Sequence, residues 1–325
     1  MSSPTKTPRL GWIGLGSMGL PMATNIQTHL KTTDSPPLTI YNRTPTRGAP
    51  LLSLGAIQAP TIEALIAQVD ICFISVSDDA AASSIITSIL LIEETITGKT
   101  IVDTSTVHPD LSGYAQRTLA ERGVHFVAAP VFGASPVARE GRLLVILAGL
   151  EEAVKIVEPF LVGVIARKVL RVGTEAGKAS LVKTAGNFLT AGIMELIAES
   201  LVFAEKTAIP TSVMQELLGE QYGALPLTMS KRMLEGHYLP ARGERPWSDL
   251  RLAVKDVGLG VDCAERVGAS LPVAEVVLGN YKEAREFGEA EGRELDSSAM
   301  YGVLRRRAGL GFESEVVRER DAAES

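Results

Sequence analysis

Cysteine is scarce in this chain, with two in 325 residues, Cys72 and Cys263. A disulfide framework is excluded by count, and no Cys or His stands at metal-ligand spacing. Both cysteines lie in apolar stretches and are expected to be small buried hydrophobes, which suits a reducing compartment. Positive charge is short as well: 32 Lys and Arg against 38 Asp and Glu give a net charge of −6. Such a protein has no generic attraction for nucleic acid or an anionic membrane, so any anion it binds must meet a local site. No uninterrupted apolar run reaches the ~18 residues a membrane helix needs. Residues 1–8 hold neither an apolar h-region nor an Arg-rich amphipathic face, so no targeting segment is expected and the location is expected to be cytoplasmic. Histidine is also rare. None of His29, His108, His125 and His237 has a carboxylate partner at suggestive spacing, so none is a strong candidate for acid–base work.

What is present is an ordinary globular composition, 46% hydrophobic and 22% charged, in a chain long enough for two domains. From residue 9, short Val- and Ile-rich runs alternate with helical patterns. Strands are expected at 10–14, 38–41, 71–75, 100–103, 125–128, 143–148 and 169–172, with helices between, for example at 18–30 and 79–90. The alternation predicts an α/β fold, a doubly wound, mostly parallel, Rossmann-like sheet over residues 1–173. Past Gly173 the strand pattern stops. A long helix over about 175–208 leads into an all-α domain, residues 174–307, with helices at 211–219, 225–234, 248–268 and 272–287. Small residues along the long helix (Ala185, Gly186, Ala191, Gly192, Ala198) suit it to close packing. Residues 308–325 are charged without apolar period after Phe312 and are expected to be a frayed tail.

In a doubly wound sheet, ligands bind just beyond the carboxyl ends of the strands. After the first strand comes Gly14-Leu15-Gly16-Ser17-Met18-Gly19. The first glycine permits a tight turn, the second lets backbone approach a pyrophosphate, and the third lets helix and strand pack closely. The helix that follows offers N–H groups to the phosphates. After the second strand, where an NAD site usually carries an acid for the ribose hydroxyls, the chain reads Tyr41-Asn42-Arg43-Thr44. A guanidinium pairs with a 2′-phosphate that a carboxylate would repel, so NADP(H) is expected over NAD(H). On the long helix, Lys183 and Asn187 stand one turn apart. Among Leu181, Val182 and Ala185, Lys183 is either a partly desolvated acid/base or a lysine snorkelling to solvent, and its setting alone leaves both open.

The pieces Gly14–Met22, Tyr41–Thr44, Asp103-Thr104-Ser105-Thr106-Val107-His108-Pro109, Ala129-Pro130-Val131-Phe132-Gly133, Gly177-x5-Lys183-x3-Asn187 and Lys255-Asp256 occur in order. Together they resemble the β-hydroxyacid dehydrogenase family, which includes 3-hydroxyisobutyrate dehydrogenase and glyoxylate/succinic semialdehyde reductases, and to which imine reductases are related. The resemblance runs from about residue 9 to about 305. It implies that Gly14, Leu15, Gly16, Ser17 and Met18 hold the pyrophosphate and that Asn42, Arg43 and Thr44 meet the adenosine ribose phosphate. Val76 and Ser77 would pass under the adenine and its ribose, and Thr106 and Lys255 would touch the cofactor. Ser105 and the Gly133 N–H would hold a substrate carboxylate, Lys183 would be the acid/base, and Asn187 would orient substrate or lysine. Asp256 would support the fold nearby. A homodimer through the helical domain is also implied.

The chain departs from the family pattern where Ser-Gly-Gly is common and Phe132-Gly133-Ala134 stands. A hydroxyl is replaced by a large apolar ring, which predicts a bulkier or less carboxylate-dependent substrate. Gly186 replaces an Asn commonly found before Asn187, and Trp247 is either a second aromatic wall or core packing. The function implied is NADP-dependent hydride transfer on a small hydroxyacid or semialdehyde. The alternatives are reduction of a neutral imine, against which the lysine speaks, and a non-catalytic NADP-binding scaffold, against which Lys183, Asn187 and Lys255 together speak.

Overall fold

The computed structural model describes residues 7–324, so most of the head considered above for targeting signals lies outside the described residues. The chain divides into two compact units, Met1–Lys183 and Thr184–Ser325, with the division inside the long helix rather than at 173/174.

In the first unit six strands form one parallel sheet: β1 (Leu10–Ile13), β2 (Thr39–Tyr41), β3 (Ile57–Gln58), β4 (Ile71–Ile74), β5 (Thr100–Asp103) and β6 (His125–Ala128). Their order is β3-β2-β1-β4-β5-β6, so the winding reverses between β1 and β4. Both faces of the strands are covered, which is why β1 and β4 are apolar or glycine throughout and buried at every residue. Leu10 and Trp12 pack with Met22, Ile26 and Leu30 of the helix Gly19–Thr32. Ile13 packs on the opposite face with Ile85, Ile86 and Ile89 of the helix Asp79–Leu90.

The expected strands at 143–148 and 169–172 form in a separate sheet. There β8 (Leu143–Leu147) lies between β7 (Val131–Phe132), antiparallel to it, and β9 (Ala166–Arg171), parallel to it. Two-residue strands such as β3 and β7 are too short to show a period in sequence.

The second unit is helical. The long helix spans Ala176–Lys206 and packs Met194, Ile197, Ala198 and Leu201 with Val277, Tyr281 and Ala284 of the helix Pro272–Glu291. Of the small residues on the long helix, Ala191 and Ala198 are buried, and a Cβ on Gly192 would lie 3.1 Å from Val273. Gly260 of the helix Leu250–Arg266 lets Phe188 approach to where a Cβ would lie 2.8 Å away. By length and composition the long helix is apolar enough to cross a membrane, yet half of its most apolar window is buried inside protein. The expected frayed tail is corrected: Glu315–Glu324 is a helix. It docks through fully buried Val317 and pairs Asp321 with Arg293, contacts between distant segments that a search for local period does not register. Cys72 is buried as expected, whereas Cys263 is only half-buried.

Candidate active site

Each glycine of the first loop has its own physical reason. Gly14 has φ +96°, and a Cβ there would sit 2.2 Å from the Ser75 carbonyl oxygen. At Gly19 a Cβ would sit 2.1 Å from the Gly14 carbonyl oxygen, so only glycine lets the helix start this close to the strand. Gly16 differs: nothing lies within 4 Å of where its Cβ would be. The fold does not need glycine there, and the open space would let phosphates come close to the backbone. The helix that begins at Gly19 has no side-chain cap and no acid in its first turn, so its first N–H groups are not taken by a side-chain cap.

The loop is braced from two sides. Trp12 Nε1 donates to the Gly14 carbonyl (2.8 Å), and the Gly14 N–H donates to the Tyr41 carbonyl (3.0 Å). Asn42, buried at the end of β2, accepts from the Leu15 N–H (2.8 Å) and donates to the Thr44 carbonyl (2.9 Å). Both ends of its amide are thus engaged inside the protein, a bracing role that the motif alone did not suggest. Arg43 and Thr44 are exposed beside it, and Arg47, unremarked in the sequence, is exposed on the turn that follows. An open cradle, uncapped helix N–H groups and exposed guanidiniums fit a dinucleotide.

Beyond β4 and β5 the backbone is tied by hydroxyls. Buried Ser105 accepts from the Val76 N–H (2.9 Å) through its Oγ, while the Ser77 hydroxyl donates to Asp78 (2.7 Å), the cap of the next helix. Thr106 is half-buried. In the same unit β7 presents Phe132, whose ring lies under Lys183 with Nζ 4.2 Å from its centroid. Gly133 follows with φ +130°, where a side chain would be strained and a Cβ would meet Leu143 at 2.6 Å, and Ala134 is half-buried. Lys183 is 8% exposed.

In the second unit Asn187 donates to Asp256 Oδ2 (2.9 Å), and Lys255 Nζ lies 2.8 Å from Oδ1 of the same carboxylate. Asp256 is therefore a hub joining two candidate site residues. Trp247 belongs to another cluster, its ring 4.2 Å from that of His237 and 5.6 Å from the Arg232 guanidinium. The histidines need one correction. His108 and His237 do have carboxylate neighbours, Asp110 at 3.5 Å and Glu235 at 3.6 Å. His108 serves as a helix cap, its Nδ1 accepting from the Asp110 N–H.

A Rossmann-ordered sheet with this glycine loop after its first strand is a dinucleotide-binding arrangement of the kind that pyridine-nucleotide oxidoreductases carry. The profile described as the NAD binding domain of 6-phosphogluconate dehydrogenase matches residues 9–173. That described as the NAD-binding domain of NADP-dependent 3-hydroxyisobutyrate dehydrogenase matches residues 177–304. The chain belongs to the β-hydroxyacid dehydrogenase family. It is 31% identical to the 2-hydroxy-3-oxopropionate reductase of Escherichia coli, over 91% of this chain and 97% of that one. It is 30% identical to the NADH-dependent oxidoreductase ucdB of Aspergillus ustus, over 91% of this chain and 98% of that one. The crystal structure of 3-hydroxyisobutyrate dehydrogenase (ygbJ) from Salmonella typhimurium shares the fold, with TM-score 0.76 at 24% identity over 91% of this chain and 99% of that one.

Proposed function

We propose that this protein transfers hydride between NADP(H) and a small hydroxyacid or its semialdehyde, with Lys183 as general acid/base. The observation that carries the reading is the burial of Lys183, which is 8% exposed in a protein whose first unit holds the glycine loop. A snorkelling lysine would be exposed, and a buried one with no task would be costly to keep.

NADPH, when bound, supplies the hydride. In reduction the Lys183 ammonium donates its proton to the carbonyl oxygen as the new C–H bond forms at the carbonyl carbon. Aldehyde, NADPH and a proton become alcohol and NADP⁺, and the neutral amine regains its proton from solvent; oxidation runs the same steps in reverse. The backbone N–H that Ser105 receives from Val76 leaves its O–H as a donor towards substrate. Asn187, held by Asp256, orients substrate or lysine.

The preference for NADP(H) rests on Arg43, an exposed guanidinium with no ion pair among the described residues, and on Arg47 behind it. Because one relative is named NADH-dependent, both cofactors belong in the test. Turnover of succinic semialdehyde and of a cyclic imine is measured with NADPH and NADH. Lys183→Ala should lose several orders of magnitude in kcat on the aldehyde while its NADPH affinity stays intact. A Lys183→Ala variant that keeps its turnover would overturn the assignment, and equal use of both cofactors would remove Arg43 from it. Turnover of the imine alone would assign the chain to imine reduction.

A further inference from the structure

Beneath the Lys183 ammonium lies the ring of Phe132. At 4.2 Å from the Phe132 centroid, Nζ lies well inside cation–π range, which extends to about 6 Å. The ring is not free to leave. Phe132 is paired to Leu144 in the antiparallel ladder of β7 and β8, and it packs against the buried cluster that contains Ile13, Ile74 and Ile146. Next to it Gly133 holds a backbone angle of +130° that a side chain would not tolerate well, and Leu143 and Val137 close the space behind. The small second sheet thus fixes an aromatic face at the place where the family pattern carries a hydroxyl.

We infer that Phe132 positions the Lys183 ammonium and determines substrate class, admitting carbonyl compounds whose group beside the ring is uncharged and rejecting a carboxylate there. The ring's negative face attracts and holds the ammonium, and what the ring presents beside the ammonium is apolar. The ring offers no donor to replace the water that a carboxylate must shed, a loss that an uncharged ester or alkyl group does not suffer. The inference rests on Lys183 being the acid/base and changes only the end of the substrate that meets residue 132. The proton still passes from Nζ to the carbonyl oxygen and the hydride to the carbonyl carbon.

The test compares succinic semialdehyde with its methyl ester, the same carbon chain with and without the charge, using the full chain and NADPH. Wild type should favour the ester in kcat/KM by about tenfold or more. Phe132→Ser should shift that ratio towards the acid by about tenfold or more, mostly through KM for the acid. Phe132→Leu keeps an apolar wall but no π face, so it should keep the ester preference while kcat falls by roughly 2- to 30-fold. NADPH affinity, measured by quenching of protein fluorescence, should stay at the wild-type value in both variants, which checks that they fold. A wild type that favours the acid, or a Phe132→Ser ratio like that of wild type, overturns the inference. If that happens while Lys183→Ala is inactive on both compounds, the acid/base assignment stands and only the role of Phe132 falls. A Lys183→Ala variant active on the ester removes the assignment itself.

Discussion

At the scale of single residues, the second unit holds a carboxyl group that its surroundings push towards neutrality. Glu195 is 2% exposed on the long helix; one oxygen accepts from the Asn280 amide, and the other has no partner among the described residues. Burial raises its pKa to about 7, with Glu199 adding to the rise and the Asn280 hydrogen bond and Arg307 opposing it. A carboxyl group whose folded pKa lies above its unfolded value binds its proton more tightly in the folded state. Its stabilising contribution is then complete below the unfolded value, near 4.5, and is lost as pH rises to about 7. Thermal stability should therefore fall across that window, and Glu195→Gln, which keeps an acceptor for Asn280 and carries no charge, should flatten the profile and melt higher than wild type at pH 8. Melting curves from pH 4.5 to 8 check this; parallel profiles for the two proteins would show that Glu195 is not the group responsible.

At the scale of elements, the glycine loop separates what the fold needs from what the ligand needs. Gly14 and Gly19 are required by backbone within 2.2 Å of their missing side chains, whereas Gly16 faces open space and has no positive φ. Gly16→Ala should melt within about 1 °C of wild type, since a surface change of this kind typically costs under ~0.5 kcal/mol, yet bind NADPH at least about tenfold more weakly because the methyl occupies the pyrophosphate's approach. Gly14→Ala should instead destabilise the first unit. Calorimetry with a fluorescence titration decides it, and a Gly16→Ala variant with unchanged affinity would mean the phosphates lie elsewhere.

The same contrast explains what the sequence made legible. The glycine spacing, the helix Asp79–Leu90 and the long helix were visible because their signals are local and periodic. Asn42 was visible as part of a motif, but its bracing of Leu15 depends on a partner 27 residues away. The C-terminal helix was missed because it is held by long-range partners. Tyr238 receives the Ser314 N–H at 2.7 Å and donates to the Phe312 carbonyl at 2.9 Å, and Arg320 reaches the Leu239 carbonyl at 2.8 Å. The Phe132–Lys183 contact joins a two-residue strand to a helix 51 positions on, and only folding brings it about.

At the scale of the whole molecule, the long helix carries an exposed apolar stripe. Leu189, Leu196 and Phe203 stand seven residues apart on the long helix and are 60%, 62% and 61% exposed. Residues spaced by seven share one helix face. Val273, 56% exposed, adjoins them where it meets Gly192. Scattered exposed hydrophobics need no explanation, but an ordered apolar stripe on a core helix is the kind of surface a partner covers. The proposed cover is a second copy of this chain, laid on the same stripe so that each copy buries the other's, as a two-fold interface requires. Leu196→Glu places a charge at the middle of that face and alters nothing in the glycine loop or around Lys183. Sedimentation velocity should give twice the chain mass for wild type and the single-chain mass for Leu196→Glu, with NADPH affinity unchanged. A wild type that sediments as one chain, or a variant that keeps the larger mass, would place the covering partner elsewhere.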